Sequence, residues 1–474
     1  MDKLKNVNKV QTTEYSGYHV EVELETQGTD GVHSAALVLP KVEIENRVII
    51  ISTNNLLDKI LARDNMYRAM QRVIRNKGSH GVDGIKTDEL HDYCKKHWTT
   101  IKSKLLDGTY KPSPVRRVEI PKPNGGTRLL GIPTVVDRMI QQAIAQALTF
   151  VYEPTFSDSS YGFRPGRSQH QAIKKSLEYI NQGYKWVVDM DLEKFFDKVN
   201  HDILIDRLSR RIEDKRLLDL IRKYLKSGIM LNGIIVSNEE GTPQGGPLSP
   251  LLSNIMLDEV DKELERRGHK FCRFADDCNI YVKSRKAGVR VLNSIKNLIE
   301  HDLKLKVNEK KSAVDLVSRR KFLGFSFYFT KGDAQIRIHE NSYNKLKSKV
   351  RDITNRNKGI DMEWRMLKLN QLTIGWINYF GIAKAKGNIQ SIEKWIRRRL
   401  RACIWKQWKL PRTKRKNLVK LGMDKYKAYQ YSNTRKGYWR ISNSPILSKT
   451  LTNKYLEELG YMSISKRYLK VHGT

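Results

Sequence analysis

The chain has 474 residues, with 88 Lys and Arg against 51 Asp and Glu and a formal net charge of +37. That length suits two or three domains of roughly 100–200 residues and excludes a single small binding module, while so large a surplus repels itself unless a polyanion neutralises it. No apolar run approaches the ~20 residues that span a bilayer and Met1 opens no signal-peptide pattern, so a membrane is set aside as a partner and the protein is expected in the cytoplasm.

Residues 1–50, within an extension bounded at residue 52, alternate apolar and polar side chains, as in Tyr18-His-Val-Glu-Val-Glu-Leu-Glu and Ala36-Leu-Val-Leu-Pro-Lys-Val-Glu-Ile. This predicts a β-rich extension, of unknown role. A helix is expected to begin near Thr53 or Asn54, either of which can cap it, and to lead into the glycine-punctuated loop Arg75–Gly84. From Arg116 to Arg128 the pattern is strand, turn, strand; Asn124-Gly125 is a strong hairpin signal, flanked by Lys122 and Arg128. Val136, Met139, Ile140, Ala143, Ile144, Ala147 and Leu148 recur at helical spacing and place an amphipathic helix from Thr134 to about Val151. Lys185 to Asp191 reads as a strand, and Asn200 can cap a helix carrying Ile203, Leu204 and Leu208. A tight glycine loop spans Gly241–Gly246, after which Ser249-Pro250 suits the N-cap and first turn of a helix that buries Leu251, Leu252, Ile255, Met256 and Val260. From residue 341 the chain is helical and basic, and a domain boundary is placed there.

Four cysteines, Cys94, Cys272, Cys278 and Cys403, include no Cys-x-x-Cys pair. They read as packed thiols in a reducing compartment rather than as a disulfide framework or zinc site.

Two segments carry paired acids. In Trp186-Val-Val-Asp-Met-Asp-Leu-Glu-Lys-Phe-Phe-Asp197, strand alternation sets Asp189 and Asp191 on one face, with Asp191 at the strand's end. In Phe271-Cys-Arg-Phe-Ala-Asp-Asp-Cys-Asn-Ile-Tyr-Val282, two apolar arms meet at Asp276-Asp277. Adjacent carboxylates repel, and an ordinary turn prefers Asn-Gly or Asp-Gly, although a lone Asp-Asp pair is more often a solvated turn. A bound dication removes the repulsion. Nucleotidyl transfer needs two cations about 4 Å apart, and Mg²⁺ takes hard oxygen ligands, so carboxylates from separate strands must converge.

Phe274-Ala-Asp-Asp277 resembles the Tyr-Ala-Asp-Asp box of reverse transcriptases, and Asp191–Asp197 resembles their first acidic motif. Tyr161-Gly-Phe-Arg-Pro-Gly-Arg-Ser168, Gly241-Thr-Pro-Gln-Gly-Gly-Pro-Leu-Ser-Pro250, Leu305-Lys-Val-Asn308 with Lys311, and Phe322-Leu-Gly-Phe325 stand in the order shown by group II intron reverse transcriptases, or maturases. The likeness runs from about residue 53 to at least residue 420. It implies an α+β right-hand polymerase, with fingers and palm over 53–340, a helical thumb or maturase domain over 341–420, and a basic nucleic-acid-binding region over 421–474.

By that resemblance Asp191, Asp276 and Asp277 hold two Mg²⁺ ions, Asp189 and Asp197 are structural, and Phe196 lies beneath the nucleotide sugar and excludes a 2′ hydroxyl. Lys122 and Arg128 would hold the triphosphate, Gln244 would lie near the incoming nucleotide, and Lys311 would serve the leaving pyrophosphate. As bare sequence, Phe196 also fits a core position, and Lys122 and Arg128 fit a solvated hairpin. Leu369–Phe380 resembles the maturase thumb. Lys394 to Lys420 holds 12 Lys or Arg and no acid, with Trp395, Trp405 and Trp408 interleaved. Arg397, Arg398, Arg399, Arg401, Lys406, Lys409, Arg412, Lys414, Arg415 and Lys416 are expected to meet phosphate backbone, and the tryptophans to be mostly core.

Phe274 stands where the family has tyrosine, and after residue 420 there are too few Cys and His for the HNH nuclease of some relatives. The expected partners are intron RNA, an RNA template with DNA primer, target DNA and dNTPs; oligomeric state is left open. The expected activity is RNA-directed DNA polymerisation that copies the intron during retrohoming, together with assistance to splicing. Two rivals stand beside it: an RNA-binding splicing chaperone without polymerase activity, and a related reverse transcriptase recruited to host defence or DNA repair.

Overall fold

A computed structural model describes residues 11–15, 18–22, 41–44, 47–50, 53–121, 127–231, 234–236, 240–242 and 245–472. Lys122, the Asn124-Gly125 turn and Gln244 lie outside these residues, as does the side chain of Arg128. The alternating extension forms two antiparallel hairpins, Gln11–Tyr15 with Tyr18–Val22 and Lys41–Ile44 with Arg47–Ile50.

Two compact units divide the chain, one of residues 1–172 and 184–315, the other of 173–183 and 316–474. In the first, one antiparallel run follows the order Lys270–Phe274, Asp277–Val282, Trp186–Met190, with Ala313–Leu316 completing the four-stranded sheet. A second four-stranded sheet pairs Val115–Pro121 with Thr127–Ile132 and runs Val115–Pro121 parallel to Ile229–Leu231. Helix Val135–Tyr152 begins where its periodicity predicts: the Thr134 side chain accepts from the Asp137 amide, and Met139, Ile140, Ala143, Ile144 and Leu148 are buried. Asn200 likewise caps His201–Ser209.

Two expected caps are placed differently. Asn55, at φ 52, precedes helix Leu56–Ile60 with no side-chain cap bond, while Thr53 Oγ1 accepts from the distant Glu213 amide at 3.3 Å. Ser249 is the first helical residue behind Leu248, so it occupies the turn rather than the cap.

The second unit begins earlier than the boundary expected at residue 341. Hairpin Phe325–Thr330 with Asp333–Ile338 shares an aromatic core with the helices that follow, the Phe325 ring lying 5.5 Å from Tyr379 and 5.0 Å from Phe380. Nor do residues 421–472 stand apart: Tyr468 Oη donates to the Ala383 carbonyl (2.9 Å), and Leu447, Leu451, Leu456 and Ile464 are buried. Apolar stripes carried on short basic helices supply this core. Among the described residues no helix is long and apolar enough to cross a membrane.

Candidate active site

Hairpin Lys270–Phe274/Asp277–Val282 closes on the pair Phe274 and Asp277, leaving Ala275-Asp276 as a two-residue turn. Ala275 sits at φ 59, a left-handed conformation that such turns usually assign to glycine. Non-glycine residues in this region cost of order 1–3 kcal/mol and persist only where the surroundings over-determine them.

The register then sets the acids. Cys278 opposes Met190 and Asn279 opposes Asp189, so Asp277 and Asp191 each stand one residue beyond the last paired position, at the same end of the two strands. Cross-strand partners share a face, which places Asp189 with Asn279. Asp276 and Asp277 are partly exposed and Asp191 is 34% exposed.

Behind the turn lies a buried polar frame. Arg273 donates to Asp261 through Nε (2.8 and 3.0 Å) and Nη2 (2.5 Å), to Asn254 Oδ1 (3.0 Å), to Ser160 Oγ (2.8 Å) and to the Ala275 carbonyl itself (2.9 Å). Asn254 Nδ2 donates in turn to the Gly162 carbonyl at 2.8 Å. A Cβ at Gly162 would collide with the Ala275 amide and stand 2.9 Å from the Phe274 carbonyl carbon, so only glycine lets this loop lie against the turn.

Asp191 is held from its other side. Its carbonyl accepts from the Asn308 amide at 2.8 Å, and its amide lies 3.1 Å from Ser312 Oγ. Lys311 Nζ pairs with Asp191 Oδ2 at 2.9 Å, which singles out Lys311 over neighbouring Lys310 as the cation beside this carboxylate. Leu192 bridges Val307, carrying the chain toward that segment and away from the 270–274 strand. Phe195 is buried, whereas Phe196 is only partly so and meets it edge-on at 5.2 Å.

Gly241 and Thr242, which open the glycine loop, dock on the Phe196–His201 segment. Gly241 donates to the Val199 carbonyl (2.7 Å), Thr242 to the Phe196 carbonyl (2.6 Å), and His201 Nε2 lies 2.7 Å from the Gly241 carbonyl. A Cβ at Gly241, φ 92, would stand 2.8 Å from the Phe196 carbonyl oxygen. Burial holds His201 below the usual imidazole range, the Gly241 carbonyl opposing, so a neutral ring donating from Nε2 fits.

The carboxylate oxygens are the donors a hard dication takes. Among the described residues, no three His, Cys, Asp or Glu side chains already form a metal cage. Asp276 and Asp277 sit at the tip of one hairpin, and Asp191 directly follows the strand paired with it.

The ten expected nucleic-acid cations separate into two sets. Arg397 pairs with Glu393 (2.9 Å), Arg399 donates to Thr354 Oγ1 (2.5 Å), Arg401 to the Leu451 carbonyl (2.9 Å), and Lys414 is buried 4.9 Å from the Trp405 ring. Arg398 stacks 3.8 Å from the Trp439 centroid and donates to that residue's carbonyl. These five tie the helical unit together. Lys406, Lys409, Arg412, Arg415 and Lys416 are exposed. Of the interleaved tryptophans Trp405 is fully buried, while Trp395 and Trp408 are partly so.

The supporting residues Arg273, Asp261, Asn254, Ser160 and Gly162 were not anticipated. One signal was available: Arg273 interrupts an apolar strand, and a charge there requires buried partners. Their identity is not written locally.

Residues 120–327 match the family described as reverse transcriptase (RNA-dependent DNA polymerase), and residues 343–422 match the group II intron, maturase-specific domain. Protein YkfC of Escherichia coli (strain K12) is 35% identical over 303 residues, 56% of this chain and 80% of its own length. The group II intron-encoded protein LtrA of Lactococcus lactis subsp. cremoris is 39% identical over 263 residues, 55% of this chain and 43% of its own. The putative COX1/OXI3 intron 2 protein of Saccharomyces cerevisiae is 30% identical over 392 residues, 80% of this chain and 42% of its own. The matches thus span less than half the length of the latter two relatives. The chain belongs to the reverse transcriptase family and carries the maturase-specific domain of group II introns.

Proposed function

We propose that this protein is the RNA-directed DNA polymerase of a group II intron, which binds the intron RNA, assists its splicing and copies it into DNA during retrohoming. The observation that supports this most is the pairing that leaves Asp276-Asp277 at the tip of one hairpin and Asp191 just past the matching end of the adjoining strand, with the tip held by a buried hydrogen bond. A pure RNA binder gains nothing from acids gathered at one point.

In this reading Asp191, Asp276 and Asp277 hold a pair of Mg²⁺ ions. Bound there, the metal supplies charge for the attacking 3′ oxygen and the leaving pyrophosphate. Lys311 keeps the Asp191 carboxylate oriented and lies where pyrophosphate departs. The partly exposed Phe196, its carbonyl tied to Thr242, sits beneath the sugar. Gln244, in the glycine loop, lies near the incoming nucleotide, and Lys122 and Arg128 neutralise its triphosphate. The exposed cations from Lys406 to Lys416 meet intron RNA or target DNA.

Primer extension on poly(rA)/oligo(dT) with Mg²⁺ tests it. Asp276→Asn and Asp277→Asn are expected to lose extension while RNA binding persists. A wild-type protein that binds RNA but never extends a primer would favour the chaperone.

A further inference from the structure

Lys311 is fixed beside Asp191 by backbone as well as by charge. The segment that carries it pairs with the segment that carries Asp191: the Glu193 amide donates to the Lys306 carbonyl (2.8 Å), Leu192 bridges Val307, and the Asn308 amide donates to the Asp191 carbonyl (2.8 Å). Past that ladder the chain turns, the amides of Lys311 (3.1 Å) and Ser312 (2.8 Å) both donating to the Asn308 carbonyl. Ser312 Oγ accepts from the Asp191 amide at 3.1 Å and donates to its carbonyl at 3.3 Å. Only the lysine side chain is left to move.

Its Nζ reaches Asp191 Oδ2 at 2.9 Å, with the lysine side chain 67% exposed and the aspartate 34%. An ion pair this open adds little to stability, because water solvates both partners and the lysine gives up rotamer freedom to hold it. A tie that merely fastened Asp191 is already supplied by Asn308 and Ser312. The ammonium instead takes an oxygen that the polymerase reading assigns to a metal. On one carboxylate, an ammonium and a dication repel each other far more strongly than a half-exposed ion pair attracts.

We propose that Lys311 is a tethered counter-ion of Asp191 that competes with the metal: its ammonium neutralises the carboxylate and withdraws to water when a dication takes Oδ2. The inference rests on the polymerase reading and deepens it, since the competition sets how readily the site loads. The lysine is held by the same chain within one turn of the Asp191 ladder, so its effective concentration at the carboxylate is high and independent of protein concentration. A cation delivered with the negative charge of a nucleotide is favoured over a bare one, because the withdrawn ammonium then has an anion to meet.

The test uses the full chain with Mn²⁺ alone, without nucleotide or nucleic acid, and reads the unbound ion by electron paramagnetic resonance. Lys311→Gln is expected to tighten Mn²⁺ binding by roughly two- to five-fold, the weight of one exposed ion pair. Lys311→Arg keeps the charge and should stay at or below the wild-type affinity. Lys310→Gln removes the neighbouring exposed charge and should change affinity by less than about two-fold, because salt screens it. A second readout is the acylation rate of the Lys311 amine, followed by mass spectrometry, which should rise on adding Mn²⁺ to wild type but not to Asp191→Asn. Equal or weaker Mn²⁺ binding in Lys311→Gln, or the same gain in Lys310→Gln, would overturn the proposal, as would a Lys311 acylation rate indifferent to Mn²⁺ in wild type. Undiminished Mn²⁺ affinity in Asp191→Asn would instead sink the metal assignment, so the two failures are distinct.

Discussion

Arg273 Nη2 lies 2.5 Å from Asp261 Oδ2, in a core where the two side chains are 2% and 0% exposed. The same guanidinium reaches the Ala275 carbonyl, so a buried ion pair is anchored to the turn that carries Asp276 and Asp277.

Breaking such a pair strands a charge, and Arg273→Met is expected to destabilise the protein by about 3–5 kcal/mol. The double variant Arg273→Met/Asp261→Leu should recover most of that loss in denaturant unfolding, because an apolar pair can replace a buried ionic one. It should not recover primer extension, since Ala275 still lacks its donor. Recovery of both would reduce Arg273 to a purely structural residue.

Gly162→Ala drives a methyl group into the backbone of the same turn. Displacement of catalytic groups by about 1 Å costs on the order of 10²-fold in rate. Steady-state extension should show kcat falling by that order with a smaller change in the KM for dNTP. An unaltered kcat would mean that the turn tolerates the shift.

Asp258 gives a pH prediction. Burial, then the neighbouring Asp261 charge, pushes its carboxyl up to about 6, and its buried Oδ1 has no hydrogen-bond partner among the described residues. With the folded value above the unfolded one, the stabilising contribution is complete below pH about 4 and is lost as pH rises through about 6. Asp258→Asn should therefore raise stability at pH 7.5 by up to about 3 kcal/mol, the gain vanishing toward pH 4. Thermal melts of both proteins across that range check it; a constant offset would refute the titration.

The basic helices predict a contrast. Replacing Lys406, Lys409, Arg412, Arg415 and Lys416 by Gln should reduce the dependence of log K on log salt by up to about 0.7–0.9 for each phosphate no longer neutralised, without moving the melting temperature. Arg399→Gln, Arg401→Gln or Lys414→Gln should lower the melting temperature instead, since these side chains hold Thr354, Leu451 and Trp405. Filter binding at several salt concentrations, paired with melts, separates the sets.

What the sequence determined by itself was local in origin. The apolar arms around Asp276-Asp277 specify a hairpin, the periodicity after Thr134 specifies a helix, Asn200 specifies the cap of the helix that follows it, and the ordered motif blocks specify the family. Each depends on residues within a few positions of one another, or on motifs legible one at a time. Tertiary structure alone decided which arginines face solvent and which close the helical unit, where the second unit begins, and that residues 421–472 share its core. It also decided that Arg273 would join Ser160, Asn254 and Asp261 behind the turn. Those outcomes turn on burial shared between segments up to 113 residues apart, and a charged side chain is written alike whether its partner is water, a carbonyl or phosphate.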